Sequence, residues 1–212
     1  MQPLHIVVTA GPTREPMDPV RFLSNRSSGK MGYALAEAAR LAGHRVTLLS
    51  GPVALAPPRR VRFHRFETAA ELRRLLLKEA RQADVVIMAA AVADYQPVRV
   101  IARKIKSTRK ILLLRLKRTP DILARLGRRR RGTQLLVGFA AETDHLVAHA
   151  RRKLKAKNLD AIVANRVGRE GAGFDSDYNR VTVLKRNGAI IAFPRMKKKR
   201  LARNLLGLLV PP

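Results

Sequence analysis

Residues 24–32 (SNRSSGKMG) combine small, hydroxyl and amide side chains directly before an apolar helical pattern. Backbone N–H groups and serine hydroxyls at a helix start bind phosphate, because the positive end of the helix dipole favours an anion. The spacing matches neither the Walker A loop nor the G-x-G-x-x-G dinucleotide fingerprint. The segment therefore predicts a phosphate-binding loop outside those two classes, and an ordinary serine-rich helix entry is the alternative.

The connection that contains this segment is long and polar. It separates a strand pattern from a helix pattern by about twenty residues, whereas such connections normally take about 2–6 residues. Arg14, Arg21, Asn25 and Arg26 all fall within it. This crowding of cations around an amide favours ligand binding over a plain helix entry.

Two further segments carry side chains suited to nucleotide chemistry. In residues 89–97 (AAAVADYQP), small side chains allow a ligand to approach the backbone, and Asp94 can accept a hydrogen bond from an amino group or a ribose hydroxyl. The alternative is that Asp94 caps a turn. Lys104 and Lys106 lie in a long loop, where a mobile lysine can neutralise charge on a transferring nucleotidyl group. A solvated basic loop is the alternative there.

Metal and thiol chemistry have little support in the sequence. His145 and His149 have the i, i+4 spacing of two ligands on one helix face, but H-E-x-x-H is absent and no third ligand has a suitable context. The chain contains no cysteine, which excludes disulfides, thiolate metal sites and cysteine nucleophiles. We therefore expect no zinc site.

Alternating strand and helix patterns define the elements that must position these side chains. This alternation predicts an α/β, Rossmann-like doubly wound fold with a mostly parallel sheet flanked by helices. Ligands in such folds bind beyond the carboxyl ends of the strands, where residues 10–32 and 89–97 fall. The strand patterns cover residues 4–9, 45–50, 61–64, 84–90, 134–141, 160–164, 180–184 and 189–193, and the helical patterns cover 30–42, 68–81, 143–157 and 201–209, with a further helix start at 119–121.

Local signals refine this outline. Thr68 and Glu71 have the spacing of a capping box, and Asn187-Gly188 predicts a hairpin turn. Residues 96–119 contain no convincing helix, while 110–116 (KILLLRL) has a strand-like composition, so we expect a small antiparallel excursion or flap around residues 96–119. Because there is no repeat and no long linker, residues 1–212 are expected to form a single domain.

The charge is strongly basic, with 44 Lys and Arg against 15 Asp and Glu and a formal net charge of +29. Such a field attracts polyanions of any kind. Aromatic residues make up only 4% of the chain and tryptophan is absent, which leaves little for a base-stacking platform. The basic runs 128–131 and 197–200 are interpreted as solvated surface charge. We expect no specific nucleic acid partner, and a basic nucleic-acid-binding protein on a Rossmann-like scaffold remains the alternative function.

Other classes are disfavoured as well. No apolar run reaches the ~18 residues of a membrane-spanning helix, and the first residues lack the pattern of a signal peptide. We therefore expect a soluble, cytoplasmic protein without membrane partners. An NAD(P)-dependent oxidoreductase is a third alternative, but the dinucleotide fingerprint is missing.

Seven stretches of the chain resemble phosphopantothenoylcysteine synthetase, the family that joins cysteine to 4′-phosphopantothenate in coenzyme A biosynthesis. They occur in the family's order and span nearly the whole chain. The first is specific, and the others are individually weak. The stretches are 9–32, 89–97 (AAAVADYQP), 104–106 (KIK), 119–123 (TPDIL), 138–143 (GFAAET), 157–165 (KNLDAIVAN) and 174–179 (FDSDYN).

The resemblance implies a ligase reaction in two steps. The carboxylate of 4′-phosphopantothenate attacks the α-phosphate of CTP, which gives an acyl-cytidylate and pyrophosphate. The amine of L-cysteine then displaces CMP and forms the amide. Mg²⁺ accompanies the triphosphate and offsets the charge on pyrophosphate, and its protein ligands are not identified by the sequence.

The resemblance also implies the setting of the reaction. The family has a Rossmann-like fold and is usually dimeric, so we expect a homodimer. In many bacteria the synthetase is fused behind a flavin-dependent decarboxylase domain. This chain corresponds to the synthetase domain alone, so we expect no flavin in it and allow for a separate decarboxylase partner.

The resemblance assigns roles to particular residues. Asn25 contacts the carbonyl of the acyl-cytidylate, and Lys104 is the lysine of a mobile flap; we expect both to be catalytic. Arg21 and Ala90 are expected to bind the phosphopantothenate substrate. The positions expected to bind the nucleotide are Met88, Ala89, Ala90, Asp94, Lys104, Pro120, Asp121, Ile122, Leu123, Phe139, Lys153 and Lys157.

Overall fold

The computed structural model describes residues 2–106, 110–167 and 176–210. The strands are β1 (His5–Ala10), β2 (Arg14–Pro16), β3 (Phe22–Ser24), β4 (Arg45–Ser50), β5 (Arg62–Arg65), β6 (Val85–Met88), β7 (Tyr95–Pro97), β8 (Leu116–Arg118), β9 (Leu135–Glu142), β10 (Ala161–Arg166), β11 (Tyr178–Lys185) and β12 (Ile190–Lys197). The helices are α1 (Lys30–Leu41), α2 (Ala69–Glu79), α3 (Ile122–Arg129), α4 (Leu146–Ala156) and α5 (Lys198–Leu209).

The central sheet has eight strands in the order β12-β11-β10-β9-β6-β1-β4-β5. The pairs from β10 to β5 are all parallel, whereas β11 and β12 add an antiparallel edge. Because the chain reverses direction at β11 and again at β12, β12 runs parallel to β10, and both strands end at the same edge of the sheet. The predicted Rossmann-like, mostly parallel architecture is confirmed.

Each face of the sheet is covered by helices, and consecutive strand residues alternate between the two faces. On one face, Ile6 and Val8 of β1 join a buried cluster with Leu35 of α1 and Leu205 of α5. On the other face, Val7 joins the cluster formed by side chains from α2, α3 and α4. This arrangement explains the nearly continuous apolar composition of the central strands.

Most predicted elements appear within one to three residues of their predicted bounds. The Thr68–Glu71 capping box forms at the start of α2, and Gly188 has a φ of 91° in the turn between β11 and β12. At the start of α3 the structure differs from the sequence prediction. Asp121 is the N-cap residue, and its side chain accepts a hydrogen bond from the Ala124 N–H, so the helix begins at Ile122, just after the predicted start at residues 119–121.

The flap (residues 95–118) contains a small antiparallel pair, but not where the leucine-rich run predicts it. Its strands are β7 and β8, with Tyr95 opposite Arg118, and residues 110–115 are not a strand. In that run Ile111 and Leu113 are 74% and 89% exposed, and no strand in the described part of the chain pairs with residues 110–115. Residues 107–109 of the flap lie outside the described residues.

The sequence also missed the short hairpin of β2 and β3 within the connection to α1. Its strands are three residues long and carry no period-two apolar pattern. In the described part of the chain, no helix has the length and hydropathy needed to cross a membrane.

Candidate active site

A cleft of about 540 Å³ opens at the carboxyl edge of the sheet. One side, the α1–α5 wall, consists of residues 25–32 and Lys198. The other side, the α3–α4 wall, consists of residues 118–123, Lys153 and Lys157. The segment that follows β6, residues 88–94, lies between them as the floor. This is the position that the fold class predicts for a ligand.

The α1–α5 wall begins with the loop expected to bind phosphate. Gly29 is the N-cap residue of α1 with a φ of 73°, and no side chain caps this helix start. The Asn25 amide Nδ2 donates to the Val92 carbonyl oxygen over 3.0 Å, which ties the loop to the floor. A Cβ on Gly32 would lie 2.5 Å from the Ala10 Cβ, so glycine allows α1 to start directly against β1.

Two buried threonines fix the floor of the cleft. The Ala90 N–H donates to Thr9 Oγ1 and the Ala93 N–H to Thr13 Oγ1, each over 3.0 Å. Thr13 also donates its own N–H to the Ala91 carbonyl. Sequence reasoning missed both threonines, because buried threonine at a strand end has no distinctive pattern.

On the α3–α4 wall, two lysines one helical turn apart each contact a carboxylate. Lys153 Nζ lies 2.7 Å from Glu142 Oε1, and Lys157 Nζ lies 3.0 Å from Asp121 Oδ2. Partial burial would raise the pKa of Asp121, but the Ala124 N–H and the Lys157 ammonium outweigh it and lower that pKa. An anionic ligand that binds here competes with these carboxylates for the lysines.

The position of Lys157 depends on a close contact between helices. A Cβ on Gly127 would lie 1.9 Å from the Lys157 carbonyl oxygen, so only glycine fits there. The Asn158 side chain donates to the Gly127 carbonyl oxygen over 2.9 Å. Together these contacts seat the end of α4 against α3.

One histidine of the pair singled out from the sequence contacts the same carboxylate as Lys153. His149 Nδ1 lies 3.2 Å from Glu142 Oε2, next to the Lys153 contact of the same carboxylate. The rings of His145 and His149 meet edge to face at 6.0 Å. Glu142 is thus shared by two α4 side chains.

Most of the residues singled out from the sequence meet in the cleft. These are Asn25, Met88, Ala89, Ala90, Asp94, Pro120, Asp121, Ile122, Leu123, Phe139, Lys153 and Lys157. The structure thus places these residues together, while their individual roles remain predictions.

Arg21 and Lys104 do not line the cleft. Arg21 Nη1 lies 3.4 Å from the carboxylate of Asp18. The same carboxylate accepts the N–H of Ile105, the neighbour of Lys104, over 3.0 Å. Both candidates therefore lie around Asp18, beside the cleft rather than in it.

The basic run 197–200 is not uniformly solvated, which corrects the sequence interpretation. Lys198 is 7% exposed and lines the cleft. Lys30, Asn165 and Asn179 line it as well. Lys198 lies three residues before Leu201, on the buried face of α5, and this spacing could have indicated it. The lysines on either side of Lys198 hide that signal. Of the stretch 174–179, residues 174 and 175 lie outside the described residues.

Comparisons with known proteins identify the family. The family model for the DNA/pantothenate metabolism flavoprotein C-terminal domain matches residues 1–211. The coenzyme A biosynthesis bifunctional protein CoaBC of Bacillus subtilis (strain 168) is 51% identical over 195 residues. The match covers 92% of this chain and 48% of that protein, so the chain spans about half the length of this relative.

Solved structures agree in fold. The C-terminal domain of a coenzyme A biosynthesis bifunctional protein CoaBC has a TM-score of 0.83 and 42% identity, covering 98% of this chain and 94% of that one. The DNA/pantothenate metabolism flavoprotein from Streptococcus pneumoniae has a TM-score of 0.80 and 27% identity, with 96% of each chain covered. The chain therefore belongs to the DNA/pantothenate metabolism flavoprotein C-terminal domain family, which confirms the family resemblance found in the sequence.

Proposed function

We propose that this chain is a phosphopantothenate–cysteine ligase domain that uses CTP and passes through an acyl-cytidylate. The observation that carries the proposal is the meeting of most of the sequence candidates in one cleft at the carboxyl edge of the sheet. Family membership and the relatives named for coenzyme A biosynthesis support it. Residues 1–212 would act as one ligase domain.

The two walls suggest how the chain handles its substrates. Lys153 and Lys157 supply positive charge for the nucleotide once it displaces Glu142 and Asp121. The floor presents the small side chains of residues 89–91 and the exposed Asp94 carboxylate. The Asn25 amide donates to the acyl carbonyl oxygen as cysteine attacks, and stabilises the developing negative charge there.

Mg²⁺ fits this cleft as a companion of the triphosphate. Mg²⁺ in such sites binds mainly to phosphate oxygens and water, with one or two protein carboxylates. Among the described residues, Asp94 and Asp121 are the carboxylates that line the cleft and could contribute a ligand. When bound, Mg²⁺ would offset charge on the leaving pyrophosphate.

We further propose that the chain forms a homodimer through the flap. Val98, Val100, Ile101 and Leu113 are all more than 40% exposed, and a concentration of exposed apolar side chains on one segment is typical of an interaction site. Lys104 lies on this segment and Arg21 lies beside it. Dimerisation would cover the apolar side chains and bring these two cations closer to a cleft.

A decarboxylase is the other partner we propose. The relatives are named as bifunctional proteins, and this chain spans about half of the Bacillus subtilis relative. A separate or fused decarboxylase would supply the remaining activity. Nucleic acid binding is the weaker alternative function, because it rests on the net charge of +29 and leaves the cleft unused.

The deciding experiment measures pyrophosphate release with 4′-phosphopantothenate and CTP, ATP, GTP or UTP in parallel. We expect release that depends on phosphopantothenate and is fastest with CTP. Pantothenate, which lacks the phosphate, serves as the matched control substrate. If folded protein releases no pyrophosphate with any of the four nucleotides, the ligase proposal is wrong.

A further inference from the structure

A second cavity lies at the opposite end of the central sheet from the cleft. Its volume is about 370 Å³, within the range of about 300–1,000 Å³ that is typical of small-molecule sites. It is bounded by α4, by residues 158–159 and by the turn between β11 and β12. Because β10 begins beside it and the antiparallel β11 ends there, this cavity lies at the amino edge of the sheet. We call it the amino-edge groove.

The floor of the amino-edge groove is apolar. Leu154, Leu159 and Leu184 line it, and each is at most 9% exposed. Ile190, which also lines the groove, is 45% exposed. These four side chains come from α4, from the segment before β10 and from both strands of the β11–β12 hairpin. An apolar group in the groove would therefore contact side chains that the fold already holds in place.

The rim of the groove is cationic. Arg151, Lys155, Lys185 and Arg186 line it, and no acidic residue among those that the structure describes does so. The side chains of Arg151, Lys155 and Lys185 form no ion pair or hydrogen bond with any described residue. Asp160, which precedes β10, is already paired with two arginines. The rim therefore lacks a carboxylate that could balance its charge.

One cation of the rim is held in position before any ligand binds. The Arg186 guanidinium donates through Nε to the Leu159 carbonyl oxygen over 3.0 Å. Its Nη2 donates to the carbonyl and side-chain oxygens of Asn158, each over 2.8 Å. A guanidinium has five N–H donors, so these contacts leave the Nη1 group for an anion. A donor that is already fixed loses little conformational entropy when it binds a ligand.

The structure of α4 explains only part of this charge. Lys155 lies in the last turn of the helix, where the negative end of the helix dipole favours a cation. Arg151 lies in the middle of α4, and Lys185 is the last residue of β11, so neither is explained by a helix end. Like charges around one cavity repel each other. A bound anion would relieve that repulsion.

We propose that the amino-edge groove binds a small amphipathic anion. The apolar part of the ligand lies on the leucine floor, and its carboxylate or phosphate lies among the cations of the rim. A helix of a partner protein is about 10–12 Å wide and needs a longer apolar stripe than four side chains provide, so the groove fits a small molecule better. The site lies away from the cleft and does not depend on the proposed ligase function.

The first experiment titrates the chain with anilinonaphthalene sulfonate, an aromatic anion that fluoresces on apolar protein surfaces. Lys155→Glu should weaken dye binding at least about 10-fold, equivalent to 1.4 kcal/mol, because it reverses a charge beside the sulfonate. Lys78→Glu is the matched control, since Lys78 is also an exposed lysine in the last turn of a helix.

The control lysine is too far from the groove to act through its charge. Its helix, α2, packs on β4, whereas α4 packs on β10, four strands away in the sheet. Four strand spacings amount to about 19 Å, and salt at physiological strength screens charges beyond about 8 Å. Lys78→Glu should therefore change the affinity for the dye less than about 2-fold. Native-like binding by Lys155→Glu, or an equal loss in both variants, would overturn the proposal.

A second pair of variants tests the floor. Ile190→Asp places a negative charge at the groove and should weaken dye binding at least about 10-fold, equivalent to 1.4 kcal/mol. Ile111→Asp is the control, because Ile111 is an exposed isoleucine of the flap. Both positions are exposed, so the variants should fold, and thermal unfolding verifies this. If Ile111→Asp abolishes binding while Ile190→Asp does not, the dye binds to the flap and the proposal is wrong.

Displacement of the dye then tests the chemical class of the ligand. Octanoate and octyl phosphate should displace it at concentrations at least about 10-fold below those of acetate, which lacks the chain, and octanol, which lacks the charge. The tighter of the two amphipathic anions identifies the preferred head group. If acetate matches octanoate, the floor contributes nothing, and if octanol matches it, the cations contribute nothing. Either result contradicts an amphipathic site.

Discussion

The cleft and the flap hold their backbones in different ways. In the cleft, the floor is fixed by hydrogen bonds to Thr9 and Thr13, both of which are fully buried. In the flap, Ile101 donates to the Met17 carbonyl and Ile105 to the Asp18 carboxylate, while apolar side chains such as Leu113 are exposed. One region is supported by a packed core and the other by a few polar contacts at its margin.

This difference separates two kinds of functional residue. A site built on buried strand ends keeps its geometry before the ligand arrives, which lowers the cost of binding. A segment with few buried apolar contacts opens at a low free-energy cost and can change position during the reaction. Asn25 lies in an exposed loop but is bonded to the fixed floor at Val92, whereas Lys104 lies on the flap.

The largest effect should come from Asn25→Asp. The carboxylate has a similar shape, but it offers no N–H to an oxyanion and would face the Val92 carbonyl oxygen that Asn25 now contacts. Loss of one such donor costs about 10²–10³ in rate. We expect slow cysteine capture with continued activation. Enzyme-bound acyl-cytidylate, quenched and measured by mass spectrometry, should therefore accumulate without cysteine and, unlike in the native chain, also in its presence.

The same substitution at a distant site provides the control. Asn187→Asp, in the turn between β11 and β12, retains the side-chain oxygen that accepts the Ala189 N–H. Its turnover should equal that of the native chain. Near-native turnover in Asn25→Asp, or no intermediate under these conditions, would contradict the role assigned to Asn25.

Lys104→Gln tests the flap and should have a smaller effect. The neutral side chain no longer offsets charge on the leaving group, and we expect pyrophosphate release to slow by about 10-fold, equivalent to 1.4 kcal/mol in the barrier. The intermediate should not accumulate in this variant. Lys110→Gln, an exposed lysine of the same flap, is the control. Equal slowing in both variants would show that flap charge in general matters, rather than Lys104.

The same contrast governs how far the sequence could predict the structure. The strands under the cleft have long apolar runs, and the Thr68–Glu71 box and the Asn187-Gly188 turn are local signals, so these elements were predicted closely. The flap was predicted less closely. Residues 110–116 have the apolar side chains typical of a strand, but residues 110–115 pair with no strand in the described part of the chain. Lys198 and the pairing of Lys153 with Glu142 depend on contacts between distant segments, which no local pattern reveals.

Packing around the cleft can be tested with a single methyl group. In Gly127→Ala the new Cβ meets the Lys157 carbonyl oxygen at 1.9 Å, so α3 and α4 must move apart. We expect a loss of about 1–3 kcal/mol in the free energy of unfolding, with a raised KM for the nucleotide because Lys157 moves. Urea unfolding and steady-state kinetics measure the two effects.

Gly207→Ala makes the same change where a Cβ meets nothing within 4 Å. Alanine is favoured over glycine inside a helix by up to about 1 kcal/mol, so this control in α5 should be stabilised. A stability loss of similar size in both variants would contradict the close contact between α3 and Lys157.

The smallest effect is a local response of the flap to acid. The hydrogen bond from the Ile105 N–H, opposed by burial and reinforced by the N–H groups of Val20 and Arg21, lowers the pKa of Asp18. A carboxyl group whose pKa is lowered on folding stabilises the fold at a pH above the pKa that it has in the unfolded chain, which is about 4. That stabilisation is lost as the pH falls through the lower pKa of the folded state. We therefore expect the contact of residues 101–106 with Asp18 to weaken progressively below about pH 4 and to be lost only as the pH passes the lower, folded pKa.

Hydrogen exchange at two amides distinguishes this local release from general acid unfolding. After correction for the intrinsic exchange rate, the Ile105 amide should lose protection as the pH falls from 5 to 3, whereas the Ala90 amide should not, because its acceptor Thr9 does not titrate. Asp18→Asn should remove the pH dependence at Ile105. If Ile105 and Ala90 lose protection together, or if Ile105 keeps its protection at pH 3, the flap is not anchored by the charge of Asp18, and the contrast between the flap and the cleft would need another physical basis.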